Sequence, residues 1–541
     1  MSSSKIALLP VRDAKGVVAV EFAMVAMVLL AVMLGAMDVG RLLWVQHNLT
    51  ARSSDTLRYA SLRGRALDPD DHGLQPGGLY QARRLPHCVA HSARREDHDE
   101  ERAAMHGLDE IDDFLIDDRV KGVPGGVPPF RLGDIGAKRW NVLRGDLAMP
   151  VAVLKESALA HNGAWMMDFL RRAGGVRIAP HGKTTMSPQL FARQLADGAW
   201  GITVATAQQL QVCRRYGVDR IIFANQLIDR QAIRYVLNEL ERDPAFDFWA
   251  LADSVEAVEL LAAEARSRNV GRPIKLLLEG GMPGGRTGAR TLEGALSVAR
   301  AIGSAGPHLA LCGVEGFEGL VDGPVHGPGA AEVNGKVQAF LDFLGEIAAA
   351  CAAEGLFAPG PVIVSAGGSA FYDMVVDTFG RLDLGREIMP LTRSGCYLTH
   401  DSASYERAFE RLRERGLVGL PNGTPVPALE VWTLVQSRPE TEKLILTAGK
   451  RDVSFDADMP VPERWFRPGL HQAPQALPPG HVVTGLNDQH AHVTVPASSP
   501  LRVGDMVALG ISHPCTTFDK WQVMCVVNED YDVVSAIRTF F

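Results

Sequence analysis

Three absences narrow the reading of this chain before any motif is considered. Lys and Arg total 55 against 63 Asp and Glu, a formal net charge of -8, so the basic excess that nucleic-acid binding requires is missing and nucleic acid is excluded as a partner. The seven cysteines, at 88, 213, 312, 351, 396, 515 and 525, are odd in number, widely scattered and form no CxxC pair. That pattern argues against a disulfide scaffold and fits a reducing cytoplasm. No GxGxxG follows the first strand-like run of the regular region, which places an open dinucleotide-binding sheet behind other α/β folds. What remains, 46% hydrophobic and 22% charged residues, is the composition of an ordinary globular enzyme. At 541 residues the chain exceeds one core, and a prior of ~150 residues per domain gives two to four units.

A long hydrophobic run is present near the start. Lys5, Arg12 and Lys15 precede Val17 to Met37, which is apolar except for Glu21 and long enough to cross a ~30 Å hydrocarbon core. This predicts a single N-terminal hydrophobic helix with membrane contact through residues 17–45. Gly16 followed by an apolar helix with Glu21 at its fifth position resembles the processing site of type IV pilin-like proteins, and residues 16 to 63 resemble a tight-adherence pilus pseudopilin. Residues 64 to 106 are rich in Arg, Asp, His and Gly without helical or strand periodicity, as expected of a disordered linker. An exported helix and the enzyme-like remainder contradict each other, so a fused or misassembled reading frame is expected, with Met105 as an enzyme start.

From Met149 the pattern becomes regular. Residues 150–154 read as a strand, residues 156–172 as a helix, and eight strand-like runs follow at 175–180, 201–205, 220–224, 247–252, 274–279, 309–315, 361–366 and 388–392. Stretches long enough for crossover helices, such as 254–268 and 331–354, separate them, which implies parallel strands. Eight is the number of strands in a (β/α)8 barrel. After about residue 400 the alternation gives way to short runs rich in Val, Leu and Trp between Pro and Gly, the signature of a mainly antiparallel β domain. The expected division is 1–63 pilin-like segment, 64–106 linker, 107–156 N-terminal contribution to the β domain, 157–400 barrel and 401–541 C-terminal β domain with a metal site.

The stretch RIAPHGKTTM, Arg177 to Met186, runs from the first barrel strand into a polar turn carrying Lys183. That is a strand-to-helix loop, where barrel enzymes keep their chemistry. The longer segment through TVAT resembles the cofactor-lysine segment of the D-serine dehydratase and D-threonine aldolase family, relatives of alanine racemase. The resemblance covers residues from about 107 to 541 and implies an alanine racemase-like barrel in which Lys183 carries pyridoxal 5'-phosphate (PLP). His181 is expected to shape the cofactor pocket, and Thr206 is a weaker phosphate-side candidate. Ser365-Ala366-Gly367-Gly368-Ser369 follows the seventh strand at the usual barrel phosphate position and resembles the family's phosphate loop, which assigns Gly367, Gly368 and Ser369 to the cofactor. Arg393-Ser394-Gly395-Cys396-Tyr397 resembles a second motif at the cofactor rim, where Tyr397 either hydrogen-bonds the phosphate or packs. Arg286, in the glycine-rich run after the fifth strand, resembles the family's arginine in an R-T/C-G motif and is placed near the pyridine nitrogen, against the alternative of an ordinary surface arginine.

Near the C-terminus, His513 and Cys515 offer an imidazole and a thiolate two residues apart, which in an extended strand share one face and can ligate one metal. SHPCTTFDKW resembles the zinc-dependent D-serine dehydratases, and Cys515 stands where the D-threonine aldolases have Asp. His490 and His492 form another such pair, for which surface positions are the default. The resemblance implies a PLP- and metal-dependent lyase, a D-amino-acid dehydratase that deaminates D-serine or a similar D-3-hydroxy amino acid. Zinc is the expected metal, a homodimer the expected assembly, and a D-amino acid the small-molecule substrate. D-threonine aldolase activity is the alternative, and a membrane pilus-assembly protein the rival of another class.

Overall fold

The computed structural model describes residues 105–268, 270–321 and 329–541. The N-terminal apolar helix expected at residues 17–37 lies outside these. Among the described residues no helix is long and apolar enough to cross a membrane.

Eight parallel strands form the central barrel: β1 (Arg177–Ile178), β2 (Ile202–Val204), β3 (Arg220–Gln226), β4 (Asp247–Ala252), β5 (Ile274–Glu279), β6 (Leu309–Glu315), β7 (Val362–Ser365) and β8 (Ile388–Thr392). They pair in sequence order from β2 to β8, and β8 pairs β1 through Leu391 with Arg177 and Thr392 with Ile178. The ring closes where Thr203 N–H donates to Pro180 O at 2.9 Å. The expected α/β barrel and its eight strands are borne out. Alternation along the strands separates two apolar layers. Ile222, Trp249, Leu251, Leu277, Ile363 and Leu391 fill the barrel's inside. The side chains between them, such as Ile221, Phe248, Ala250, Leu276 and Leu278, face the surrounding helices. Those helices include Val255–Arg268 and Ala330–Ala353, at the crossovers read from the sequence.

Asp247 and Lys275 meet at 2.5 Å among the barrel's inner residues, with Lys275 Nζ 4.5 Å from the Trp249 ring centroid. Both belong to the N-terminal halves of β4 and β5, so this end of the barrel is plugged. The opposite, C-terminal mouth carries the loops and the chemistry.

The second layer is an antiparallel sheet built around one long strand, Leu429–Glu440. It pairs Met506–Gly510 on one side and Val151–Lys155 on the other, both antiparallel. Val151–Lys155 in turn pairs Val523–Val527 in parallel, so a strand from before the barrel is held between two from after it. Glu430 at the centre of this sheet is fully buried, and accepts from Tyr531 Oη (2.9 Å) and Trp432 Nε1 (3.1 Å) while Lys155 Nζ lies 3.1 Å away. A buried carboxylate survives when its oxygens are so partnered. The C-terminal strand returns to the barrel: Phe540 N–H donates to Met186 O at 2.9 Å, three residues past Lys183.

Candidate active site at the barrel mouth

β1 is short because Pro180 and His181 leave the sheet at once. Gly182–Thr184 then forms a 3-10 turn whose first backbone N–H acceptor is the His181 ring, with Lys183 N to His181 Nδ1 at 3.4 Å. The turn leaves the Lys183 side chain exposed at the mouth while Gly182, Thr184 and Thr185 are buried beneath it. Gly182 is packed between Phe191 and Ile202, and a Cβ there would sit 3.0 Å from the phenyl ring. Burial, and then the charges of Lys183, Arg393 and Arg286, push the His181 imidazole well below its ordinary pKa, so the ring is neutral and a poor proton carrier.

Those three cations therefore gather around one imidazole, and buried acids face them. Arg393, after β8, donates to Glu315 Oε2 at 2.5 Å and to Gly316 O at 3.0 Å. Burial pushes the Glu315 carboxyl up to about 7, opposed by Arg393 and reinforced by Glu279. Glu279, at the end of β5, accepts from Thr287 Oγ1 at 2.6 Å and from Gln226 Nε2, which folds the glycine-rich loop of Arg286 back over the mouth. Arg286 is exposed there with its guanidinium 5.4 Å from the Phe317 ring centroid.

The turn after β7 is an anion seat. Gly367 and Gly368 donate their N–H groups at 3.0 and 2.6 Å to the two oxygens of one fully buried carboxylate, Glu318. Converging backbone donors of this kind are how barrels hold phosphate. The neighbouring backbones leave no room for side chains: a Cβ on Gly367 would meet Arg393 N at 2.4 Å, and one on Gly395 would meet His181 O at 2.5 Å. A phosphate at this turn must displace the Glu318 carboxylate or use donors beside it. Ser369, Ser394, Cys396 and Tyr397 line one small cavity next to the turn, with Tyr405 and Phe409. Tyr397 is buried in the core shared by helix Glu156–Arg172 and the β domain. Thr206 caps helix Ala207–Arg215 by accepting the Gln209 N–H at 3.3 Å, a local structural task.

The β domain delivers His513 and Cys515 to the same mouth, in a geometry that differs from the extended strand expected. The strand ends at Gly510, and Pro514, with φ -62° and ψ -35°, starts a one-turn helix at Cys515–Phe518. Cys515 Sγ lies 3.5 Å from Thr184 Oγ1 across 331 residues of sequence, directly beside Lys183. Hydrogen bonding from Cys396, then Thr184, together with the Lys183 charge, lowers the Cys515 thiol pKa against the opposing effect of burial. His513 Nδ1 is 2.6 Å from Asp456 Oδ2, so Nε2 is the ring atom left for a ligand. A thiol of lowered pKa and an imidazole oriented by a carboxylate are suited to a divalent transition metal. Among the described residues no three His, Cys, Asp or Glu side chains converge closely enough to enclose a metal ion. His492 Nε2 pairs with Asn487 Oδ1 at 2.7 Å within the hairpin that its strand, Ala491–Thr494, forms.

Comparison with known proteins agrees with this fold. The alanine racemase N-terminal domain family matches residues 154–374 and the serine dehydratase domain family matches residues 428–527. The chain has the alanine racemase-like fold. A separate family, TadE-like protein, matches residues 16–58, outside the described residues. D-threo-3-hydroxyaspartate dehydratase of Delftia sp. strain HT23 is 31% identical over 142 residues, 26% of this chain; the match spans 36% of that relative's length. Its solved structure superposes with a TM-score of 0.57 at 22% identity, covering 74% of this chain and 99% of that one. D-threonine aldolase from Filomicrobium marinum gives 0.57 at 20%, covering 73% and 95%. Two further solved forms of the dehydratase carry alanine in place of a histidine and of a cysteine two positions later, the second in a metal-free form.

At the mouth of the alanine racemase-like barrel, Lys183, Arg286, Gly367 and Gly368 lie on loops after barrel strands, and the β domain brings Cys515 against Thr184. Sequence reasoning passed over Glu315, Glu318 and Asp456. Glu315 and Glu318 close and follow β6 in VEGFEGL, a position that signals a mouth residue but not its partners. Asp456 lies in a loop with no pattern of its own, and only the fold brings it to His513.

Proposed function

We propose that the protein is a PLP- and metal-dependent lyase that deaminates D-serine or a similar D-3-hydroxy amino acid to a 2-keto acid and ammonia. The observation that carries this reading is the contact of Cys515 Sγ with Thr184 Oγ1, which sets a cysteine two residues from His513 against the turn that carries Lys183. The histidine and cysteine two positions apart in the solved dehydratase forms support the metal, and Cys515 rather than Asp favours dehydration over retro-aldol cleavage. When bound, PLP supplies an electron sink for charge left at the substrate Cα, and a divalent metal, zinc in this proposal, supplies a Lewis acid for the β-hydroxyl.

The chain's own residues supply the remainder. Lys183 holds the cofactor and its Nζ takes the proton from Cα. His513 Nε2 and Cys515 Sγ hold the metal, and Asp456 keeps the imidazole turned by binding Nδ1. The turn at Gly367 and Gly368, with Ser369, seats the phosphate; Arg286 lies on the cofactor's ring side; neutral His181 and buried Thr184 fix the Lys183 turn without competing for its proton. Loss of hydroxide from Cβ with a proton gives water, and hydrolysis of the resulting enamine gives keto acid and ammonia.

The catalytic unit in this reading is residues 107 to 541, acting as a cytoplasmic homodimer, with residues 17–45 as an inner-membrane contact where the N-terminal segment is present. Incubating purified protein with D-serine and D-threo-3-hydroxyaspartate tests the reaction. Keto acid and ammonia support the dehydratase; glycine and an aldehyde support the aldolase; neither product, with no bound cofactor, contradicts both.

A further inference from the structure

Residues 393–395 are wedged between the two turns from which the mouth is built. Arg393 O accepts the His181 N–H at 3.1 Å, and Gly395 packs against His181 O and Thr184 Oγ1, so one side of the wedge holds the turn of Lys183. On the other side Ser394 Oγ donates to Gly368 O at 3.0 Å, and Gly367 lies so near Arg393 N that a Cβ has no room. The wedge is tied down from within the barrel by its arginine. Arg393, 5% exposed, reaches past β7 to the end of β6, where Nη2 donates to Glu315 Oε2 at 2.5 Å and to Gly316 O at 3.0 Å. Glu315 is 1% exposed, and its neighbours in register are Glu279 on β5 and Ser365 on β7, an acid and a hydroxyl. Glu318, after β6, and Arg286, after β5, add a further acid and a further cation to its surroundings.

We infer that Glu315 is a positioning residue: acting through Arg393, its carboxylate clamps the Lys183 turn to the phosphate turn, so the mouth is preorganised for PLP only while Glu315 is ionised. The inference rests on the PLP-dependent reading above. A guanidinium fixed by a carboxylate and a carbonyl has one position; against a protonated carboxyl it loses the charge-assisted bond, and the turns must be ordered again as the cofactor enters. Burial pushes the Glu315 carboxyl up to about 7 against the pull of Arg393, with Glu279 and Glu318 adding to the rise and Arg286 opposing it. The clamp therefore forms as pH rises through that value, the proton passing to solvent. A carboxylate that only packs beside the mouth gives the opposite sign, because a negative charge gained as pH rises repels phosphate.

The test measures binding of PLP and of pyridoxal to the full chain by cofactor absorbance, from about pH 5.5 to about pH 8.5, in the wild type and in Glu315→Gln, whose neutral amide stands for the protonated acid. The ratio of the two affinities isolates the phosphate, and the ionisation of the phosphate itself and of Glu318 is common to both proteins. The wild-type preference for PLP should exceed the variant's by ~10-fold at the upper end, the worth of one charge-assisted hydrogen bond, and match it within about twofold at the lower end. A wild-type-to-variant quotient that stays constant, or that rises as pH falls, overturns the clamp and leaves the PLP reading standing. A wild type that binds neither PLP nor pyridoxal overturns that reading and this inference with it. Where Glu315→Gln fails to fold, Arg393→Lys, whose ammonium cannot span Glu315 and Gly316 O, must show the same loss, and a wild-type-like profile in it overturns the clamp equally.

Discussion

His400 closes the loop that carries Arg393 to Tyr397, and its titration makes a quantitative forecast. The side chain is 6% exposed, donates its Nδ1–H to Asp401 O at 2.9 Å, and meets Phe409 edge-on at a centroid distance of 6.4 Å. Burial pushes its pKa down to about 4. An unfolded histidine near 6.5 takes up its proton first as pH falls, so the contribution of His400 is fully present above pH 6.5 and is lost on descent toward pH 4. Asp401, pushed up to about 7 by burial, works the other way: its penalty is full above pH 7 and is relieved as pH falls. The wild-type profile therefore partly cancels. His400→Asn isolates the histidine, because Asn tolerates the left-handed backbone at this position, φ +49°, and does not titrate. Loss of packing on Phe409 shifts the variant's stability by an offset independent of pH. Between pH 7.5 and 4.5 the wild type should lose about 2.5 kcal/mol relative to the variant, at 1.36 kcal/mol per pKa unit. Urea unfolding at intervals of one pH unit reads this directly. Parallel profiles for the two proteins would refute a buried neutral His400.

Other outcomes follow from the mouth. Gly395→Ala drives a Cβ into His181 O and Thr184 Oγ1, so denaturant titration should show a loss of about 1–3 kcal/mol and cofactor absorbance should fall with it. Glu318→Gln removes a carboxylate from two backbone donors; unfolding should show a loss of about 1–3 kcal/mol, while affinity for PLP relative to pyridoxal rises as a negative charge leaves the phosphate's neighbourhood. A fall in that ratio would mean that Glu318 braces the phosphate turn instead of competing at it. A chain beginning at Met105 should bind PLP and turn over at least as fast as the full chain, since the barrel and β domain contain every residue assigned to the site; an inactive shortened chain beside an active full one would contradict this.

Much of the barrel was legible because its strands are buried on both faces and read as apolar runs between helices of ordinary length. The crossovers at Val255–Arg268 and Ala330–Ala353 stood within a residue of their predicted positions for the same reason. Local motifs also placed Lys183 and the Gly367–Gly368 turn at the mouth, because a loop following a barrel strand has only one end to occupy. Contacts between distant segments were not legible. Nothing in VEGFEGL says that Glu318 reaches the turn after β7, and nothing in RSGCY says that Cys396 lies against Cys515, 119 residues on. The extended geometry expected for His513 and Cys515 failed at Pro514, whose fixed φ suits the start of a helical turn as well as it suits a strand edge. Thr206 shows a related ambiguity: a hydroxyl at a strand end is also the residue type that caps the next helix, as it does here.

The central claim is that Lys183 carries the cofactor. Borohydride reduction of the protein saturated with PLP fixes the cofactor to the lysine that holds it, and peptide mass mapping then locates the addition. The account predicts near-stoichiometric modification of the peptide containing Lys183, absent in Lys183→Ala although that variant unfolds at the wild-type denaturant midpoint. Modification of a different lysine, or none in a wild-type protein that binds PLP stoichiometrically, would contradict it.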